Sequence, residues 1–440
     1  MSVLEPAVET RPWSEQRAAD EDSYRRQIEY LFANSRFYRA KLATAGFDSP
    51  AAVGGLAAIA ALPFTEKDEL RATRGDAEPV GAHLCVPMSE VVRVFSTSGT
   101  SGVPTYIPLT RDDVAAWTRI SSRGYAASGV RAGDRLVSTY GAGPFVAGIT
   151  LDAFNALGLT HIPVGGGDSD RLMTVVRQLR PDAIALTPSY ALHLAERAAE
   201  RGIDIAGSSV RRLLVAGEPG GGEPAMRARL QSAWGARVTE AMGIGDIAAS
   251  LWGECEEQAG MHFAGRGQAH VELIDPASGE PRPFVDGTEG ELVYTHLHQR
   301  AAPLLRFRSR DHVRVWTDEC ACGRTGPRVR CVGRTDDMLI VRGVNVFPTA
   351  LREIVNEFAP AVSGVIAVRP ARKGFRQDPP LPVAVELGRP GGDGDALAER
   401  IRGRIREALL VATDITLVPP GDLPRTSYKS NLVDWSAAAD

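Results

Sequence analysis

Between residues 20 and 42 the apolar side chains of Tyr24, Ile28, Leu31, Phe32, Phe37 and Tyr38 recur at helical spacing. One amphipathic helix is predicted over that stretch. Thr65 with Asp68, and Thr110 with Asp113, have the spacing of capping pairs and mark two further helix starts. Short apolar runs then alternate with helical stretches. Residues 135–140, 160–164, 183–187 and 212–216 read as strands, and Ser189 is the predicted cap of a helix carrying Leu192, Leu194 and Ala198. That alternation implies a mostly parallel sheet covered by helices. After Gly260 the rhythm changes. Residues 270–274, 291–296 and 310–316 read as strands of a more antiparallel, strand-rich region. A second, smaller α+β pattern follows: strands at 338–341, 365–368, 382–387 and 415–418, helices at 349–357 and 396–410, and a glycine-rich loop at 388–394. The fold class is therefore α/β: a large N-terminal unit with mixed sheets flanked by helices, then a small C-terminal α+β unit of about 100 residues, a size that folds independently.

Composition narrows the class. With 440 residues the chain exceeds what a single core usually fills. Its 44% hydrophobic and 24% charged residues are ordinary for a soluble globular protein. A formal net charge of -4 supplies no basic field, which argues against nucleic acid as the main partner. No apolar run approaches the ~18 residues of a membrane span, so no membrane partner is expected. Residues 1–16 carry acidic groups and no apolar core, unlike a signal peptide. Five cysteines do not suggest a disulfide framework. A cytoplasmic enzyme fits these bounds.

The run Ser96-Thr97-Ser98-Gly99-Thr100-Ser101-Gly102 follows the apolar residues 91–95. It reads as a strand feeding a phosphate-binding loop, because glycines admit an anion close to the backbone while amides and hydroxyls donate to it. A Walker loop places lysine directly after its last glycine, whereas Val103-Pro104 stands here. The loop therefore suits nucleotide phosphates without the lysine of a P-loop ATPase.

This loop resembles the signature of acyl-adenylating enzymes, the superfamily of acyl-CoA ligases, luciferases and peptide-synthetase adenylation domains. Further matches follow in the family's order. Gly217-Glu218-Pro219 resembles the adenine loop, and Met242-Gly243-Ile244-Gly245-Asp246 stands where the family has Tyr-Gly-x-Thr-Glu. Residues 306–311 match Arg-Tyr-Arg-Thr-Gly-Asp, and Gly333-Arg334-Thr335-Asp336-Asp337-Met338 matches the hinge motif. Residues 187–190 and 342–348 are similar to phenylacetate-CoA ligases, and the resemblance runs from about Phe64 to the C-terminus.

The resemblance implies two-step acyl activation. A carboxylate attacks the α-phosphorus of ATP, pyrophosphate leaves, and the thiol of coenzyme A then attacks the acyl carbon of the adenylate. Such chemistry asks for positioning and charge stabilisation more than a general base. Lys429, in a Pro-Arg-x-x-x-Lys element, is the implied catalytic cation, and Asp336 the implied hinge between units 1–335 and 336–440. Ser98, Gly99, Thr100, Ser101 and Gly102 would cradle phosphates. Gly217, Glu218, Pro219, Ala241, Met242 and Gly243 would line the adenine site. Asp311 and Arg334 would hold the ribose, and Asp246 would hold Mg²⁺. Asp246 replaces the usual glutamate and also reads, in isolation, as a helix N-cap. Met242, Gly245 and Arg310 are departures from the pattern. The loop at 341–348 would line the thiol tunnel. Tyr140, Gly141 and Phe145 correspond to the acid site, where Ala142 stands in place of an expected aromatic ring. A wider pocket for a substituted or bicyclic aryl acid follows. The same features leave open transfer to a carrier-protein thiol or an amine, a nucleotide-binding protein with a degenerate site, and a homodimer.

Four cysteines fall between residues 255 and 331. Cys255, His262, Cys320 and Cys322 have the donor set of a Cys₃His structural zinc site, with Cys331 as a small core residue instead.

Overall fold

The computed structural model describes residues 3–76, 78–96, 105–143, 145–342, 344–389, 394–424 and 432–438. A hairpin of β1 (Val91–Ser96) and β2 (Tyr106–Thr110) stands apart from a single twelve-stranded sheet. Five strands of that sheet are parallel: β3 (Arg135–Ser138), β4 (Thr160–Pro163), β5 (Ala183–Leu186), β6 (Arg212–Ala216) and β7 (Arg237–Ile244), in the order β4-β3-β5-β6-β7. The other seven are β8 (Ala248–Glu254), β9 (Met261–Phe263), β10 (Ala269–Ile274), β11 (Pro281–Arg282), β12 (Glu289–His296), β13 (Phe307–Trp316) and β14 (Arg328–Arg334). They extend the sheet beyond β7 in antiparallel pairing, in the order β8-β9-β14-β13-β12-β10-β11. The change of rhythm after Gly260 is thus the antiparallel half of one continuous sheet.

Local chemistry explains the element ends. The predicted helix over 20–42 is two helices, Trp13–Asn34 and Arg36–Thr44. Ser35 takes an extended conformation between them, and its side chain accepts from Tyr38 N at 3.2 Å, capping the second. The apolar spacing ran on because Tyr24, Ile28, Leu31, Tyr38 and Leu42 all enter one core. The helix after Thr65 starts one residue later, capped by Glu66 in a reciprocal box with Glu69. Thr110 and Asp113 do form the predicted box. Thr187, not Ser189, caps Pro188–Glu200, because Pro188 fills the first helical turn, where its missing N–H costs nothing.

The C-terminal domain carries two three-stranded sheets. Its strands are β15 (Leu339–Val341), β16 (Val344–Val346), β17 (Val362–Val368), β18 (Arg376–Gln377), β19 (Leu381–Leu387) and β20 (Thr413–Val418). Helices Pro348–Asn356 and Gly394–Leu409 bury Leu351, Val355, Ile401 and Ile405 against Val383 and Val385 in a core of their own. Among the described residues no helix is long and apolar enough to cross a membrane.

Candidate active site

The carboxyl ends of four adjacent parallel strands form one rim, the usual place for a ligand in such sheets. Residues 140–143 leave β3, Thr187 leaves β5, residues 217–219 leave β6, and Ala241–Gly243 lie at the end of β7. Ala216 and Ala241 are paired neighbours, which sets Gly217, Glu218 and Pro219 beside Ala241, Met242 and Gly243. Two of the glycines are sterically required. Gly217 has φ +96°, in the left-handed region. A Cβ on Gly243 would stand 2.8 Å from Ser250 N. The Glu218 side chain is buried and accepts from Ser189 N at 2.8 Å, anchoring the loop to the start of helix Pro188–Glu200.

Asp246 lies in the turn between β7 and β8, closed by Ile247 N donating to Ile244 O at 2.8 Å. No helix follows it, so the N-cap alternative does not hold: the next residues continue into β8. Its buried carboxylate meets Lys67 Nζ at 2.8 Å. The preceding residues tie that lysine to the other half of the sheet. Thr65 bridges to β13, its N–H bonding Arg306 O at 2.9 Å and its carbonyl taking Arg308 N at 3.0 Å. Glu66 accepts from Arg310 Nη2 at 2.6 Å. Residues 65–67 therefore staple the Asp246 turn to the strand carrying Asp311. The capping pattern of Thr65 and Asp68 accounts for this segment locally, and nothing in its run of polar residues singles out Lys67.

Arg310 takes φ +67°, the left-handed region where the family carries glycine. Its guanidinium, bound to Glu66, holds a conformation that costs an L-residue about 1–2 kcal/mol. Asp311 on β13 faces Arg334 on β14 in the ladder, and Arg334 Nη1 lies 3.4 Å from Asp311 Oδ1. Arg334 also grips Asp336 with two bonds, 2.9 and 2.7 Å. Burial opposes the charge on Arg334, yet Asp311, Asp336 and Asp337 together hold its pKa above the ordinary value.

Tyr140 reaches from β3 to the end of β5, its hydroxyl donating to Leu186 O at 3.1 Å. Gly141 and Ala142 are exposed, and Phe145 is half-buried. Phe95, near the end of β1, packs beside this segment: a Cβ on Gly148 would lie 3.1 Å from Phe95 Cε1 and 3.5 Å from Ala142 Cα. Ser98, Gly99, Thr100, Ser101, Gly102, Gly343 and Lys429 lie outside the described residues.

Cys255, just after β8, His262 on β9, and Cys320 and Cys322 in the loop before β14 converge, with all four ligand atoms within 4.8 Å of one another. Cys255 Sγ lies 3.6 Å from Cys320 Sγ, and His262 Nε2 lies 3.4 Å from Cys322 Sγ. Tetrahedral zinc with bonds of ~2.3 Å separates its sulfurs by about 3.8 Å, so the cluster has the size of that site. The hydrogen bond from Cys255, followed by His262, holds the Cys322 thiol well below its ordinary pKa. His262 lowers Cys320 as well. Cys331, on β14, stands outside the cluster.

Similarities to known proteins agree with this geometry. Residues 29–298 match the AMP-binding enzyme family and residues 343–434 match the AMP-binding enzyme C-terminal domain. A phenylacetate-coenzyme A ligase of Thermus thermophilus is 36% identical over 446 residues, covering 96% of this chain and 97% of its own. One from Escherichia coli is 31% identical, covering 97% of this chain and 96% of its own. Among solved structures, 2-hydroxyisobutyryl-CoA ligase in its postadenylation state superposes with a TM-score of 0.89 at 28% identity, covering 98% of this chain and 92% of that one. The same enzyme gives 0.74 in an open conformation and 0.71 in the thioesterification state. The chain therefore belongs to the AMP-binding, acyl-adenylating enzymes, among the phenylacetate-CoA ligases, and is an ATP-dependent acid–CoA ligase.

Proposed function

We propose that the acid is aromatic, a benzoic, phenylacetic or larger aryl acid, activated as its adenylate and passed to CoA. The observation that carries this reading is the shared rim. The exit of β3, with Tyr140, Gly141 and Phe145, is two strands away from the nucleotide loop on β6. The near relatives are phenylacetate-CoA ligases, and Ala142 in place of a ring leaves room for a larger aryl group.

In this reading Gly217, Glu218, Pro219, Ala241, Met242 and Gly243 bound the adenine. Asp311 accepts from the ribose hydroxyls, with Arg334 fixing its orientation. Asp246 would hold Mg²⁺, which supplies charge neutralisation at the ATP phosphates. The Asp246 carboxylate is a hard oxygen donor that would share its charge between Lys67 and such an ion. Lys67 is then set to face the phosphates, a role that its place beside Asp246 supports. Residues 98–102 donate to phosphate oxygens, and Lys429 stabilises the charge that develops as the carboxylate attacks. Residues 1–335 and 336–440 move about Asp336 between the two half-reactions. Cys255, His262, Cys320 and Cys322 would hold a structural zinc, cross-linking β8 and β9 to the loop before β14. The few cysteines fit a cytoplasmic enzyme.

The test is pyrophosphate release from Mg-ATP over a panel of benzoic, phenylacetic and bicyclic aryl acids, with and without CoA, with products identified by mass. Acid-dependent pyrophosphate with an aryl-CoA product is expected. Turnover confined to aliphatic acids would refute the aromatic assignment.

A further inference from the structure

The C-terminal domain touches the nucleotide rim through a buried arginine that none of the motifs includes. Arg352, on helix Pro348–Asn356, donates from Nη2 to Pro219 O at 2.6 Å and to Glu223 Oε1 at 2.6 Å. Its side chain is 6% exposed and that of Glu223 is 7% exposed. Pro219 ends the proposed adenine loop, and Glu223 stands at the N-terminus of helix Pro224–Trp234. One guanidinium nitrogen thus joins the mobile domain to both ends of residues 219–223.

Two further facts give this contact its character. Arg352 Nε and Glu223 Oε2 are buried with no hydrogen-bond partner among the described residues. A buried ion pair with unmet polar atoms is worth little against an apolar pair of the same shape, but parting it leaves each charge uncompensated until water reaches it. When it does open, the rim changes charge. Burial disfavours the Arg352 charge, but Glu223, Glu218 and Glu240 more than offset this, so its departure leaves those three acids without their shared cation. Other contacts cross the same face, and Arg229 Nη1 donates to Ser363 O at 2.5 Å. Arg330 Nη1 lies 3.5 Å from Glu353 Oε1, and Phe347 stacks on His312 at 4.9 Å between ring centroids. The arrangement is also nearer to the relative's postadenylation state than to its thioesterification state.

We propose that Arg352 is a positioning residue. In the adenylation pose it fixes the carbonyl end of the nucleotide loop, and its withdrawal with the C-terminal domain slackens that loop for the thioester step. The inference rests on reading residues 217–219 as the nucleotide loop.

The test separates the half-reactions in the full-length enzyme and adds AMP binding by calorimetry, which needs no acid. Adenylation is read by acid-dependent exchange of pyrophosphate into ATP, and the second step by CoA thioester formed from presented acyl-adenylate. For Arg352→Met, adenylation about tenfold slower and AMP affinity about tenfold weaker are expected, with thioester formation within about twofold of the parent. Arg352→Lys should recover part of both losses, which a packing role would not predict. Glu223→Gln keeps the shape and should give the same split, and it decides the matter where Arg352→Met does not fold. Equal loss in both half-reactions, or unchanged AMP affinity in the folded variants, overturns the proposal. Gly217→Val checks the underlying reading separately: normal AMP binding there removes the nucleotide loop itself. If no acid turns over, only the substrate assignment fails, and the AMP arm still decides.

Discussion

Arg310 shows how one residue can depart from a family pattern and still keep its geometry. At φ +67° an L-residue is strained, and the ion pair with the half-buried Glu66 offsets some of that cost. Arg310→Gly should therefore be neutral or stabilising by up to about 1 kcal/mol, whereas Arg310→Ala keeps the strain, loses the pair and should destabilise by about 1 kcal/mol. Urea midpoints compared at constant m-value would show it, and an alanine variant as stable as the glycine variant would refute the account. Lys429 makes the complementary chemical case. Lys429→Ala should lose about 10²–10³-fold in adenylation while thioester formation from supplied adenylate survives. Near-normal pyrophosphate exchange in that variant would remove Lys429 from the mechanism. The sequence showed the glycine-to-arginine departure but gave no reason for it, because backbone strain and the Glu66 partner are separated by more than two hundred residues of chain.

At the scale of elements, the β7–β8 pair and the strands beside it concentrate titratable groups. Glu240 on β7 is buried, and its pKa rises from 4.5 to about 7, first through burial and then through Glu254. A carboxyl raised in the fold favours the native state when protonated. Its contribution is complete below the unfolded value of 4.5 and is lost as pH rises through about 7. Glu240→Gln should thus flatten stability between pH 5 and 8 and stabilise the protein on the alkaline side, by an amount on the order of 1–3 kcal/mol. Urea unfolding at the two pH values measures this, and an unaltered pH slope would exclude Glu240 as its source. The cysteine cluster, at the end of β8, on β9 and in the loop before β14, gives a second prediction at this scale. Gently purified protein should carry one zinc per chain by elemental analysis, and Cys322→Ser should lose both the metal and several degrees of melting temperature. Metal-free native protein with an unchanged melting curve would dismiss the site.

For the molecule as a whole, the decisive quantity is the pose of the C-terminal domain. Arg334 holds Asp336 with two hydrogen bonds just before β15, so the proposed rotation about that residue would have to break or carry this clamp. Asp336→Pro, which fixes φ, should slow the two half-reactions unequally, by about tenfold or more in one of them. Equal slowing would speak against a hinge there. The Arg352 contact acts at the same scale, since it is the buried polar link between that domain and the loop after β6.

The sequence alone determined what depends on local patterning. The parallel strands on residues 135–138, 160–163, 183–186 and 212–216, the Thr110–Asp113 box and the separate C-terminal core follow from periodicity and cap chemistry, which neighbouring residues decide. The ordered motifs likewise pointed to adenylation, because each glycine-rich or acidic stretch is short and contiguous. Where two signals lay within a residue or two of each other, the choice was tertiary. Glu66 displaced Thr65 as a cap because Thr65 pairs with β13, and Ser35 split one apolar stripe into two helices over a shared core. Only the tertiary structure brought Lys67 to Asp246, Glu66 to Arg310 and Arg352 to Pro219. These pairs join the segment around Glu66 and Lys67 to distant parts of the sheet, or one domain to the other, and their charges find one another only when strand order and domain packing are fixed.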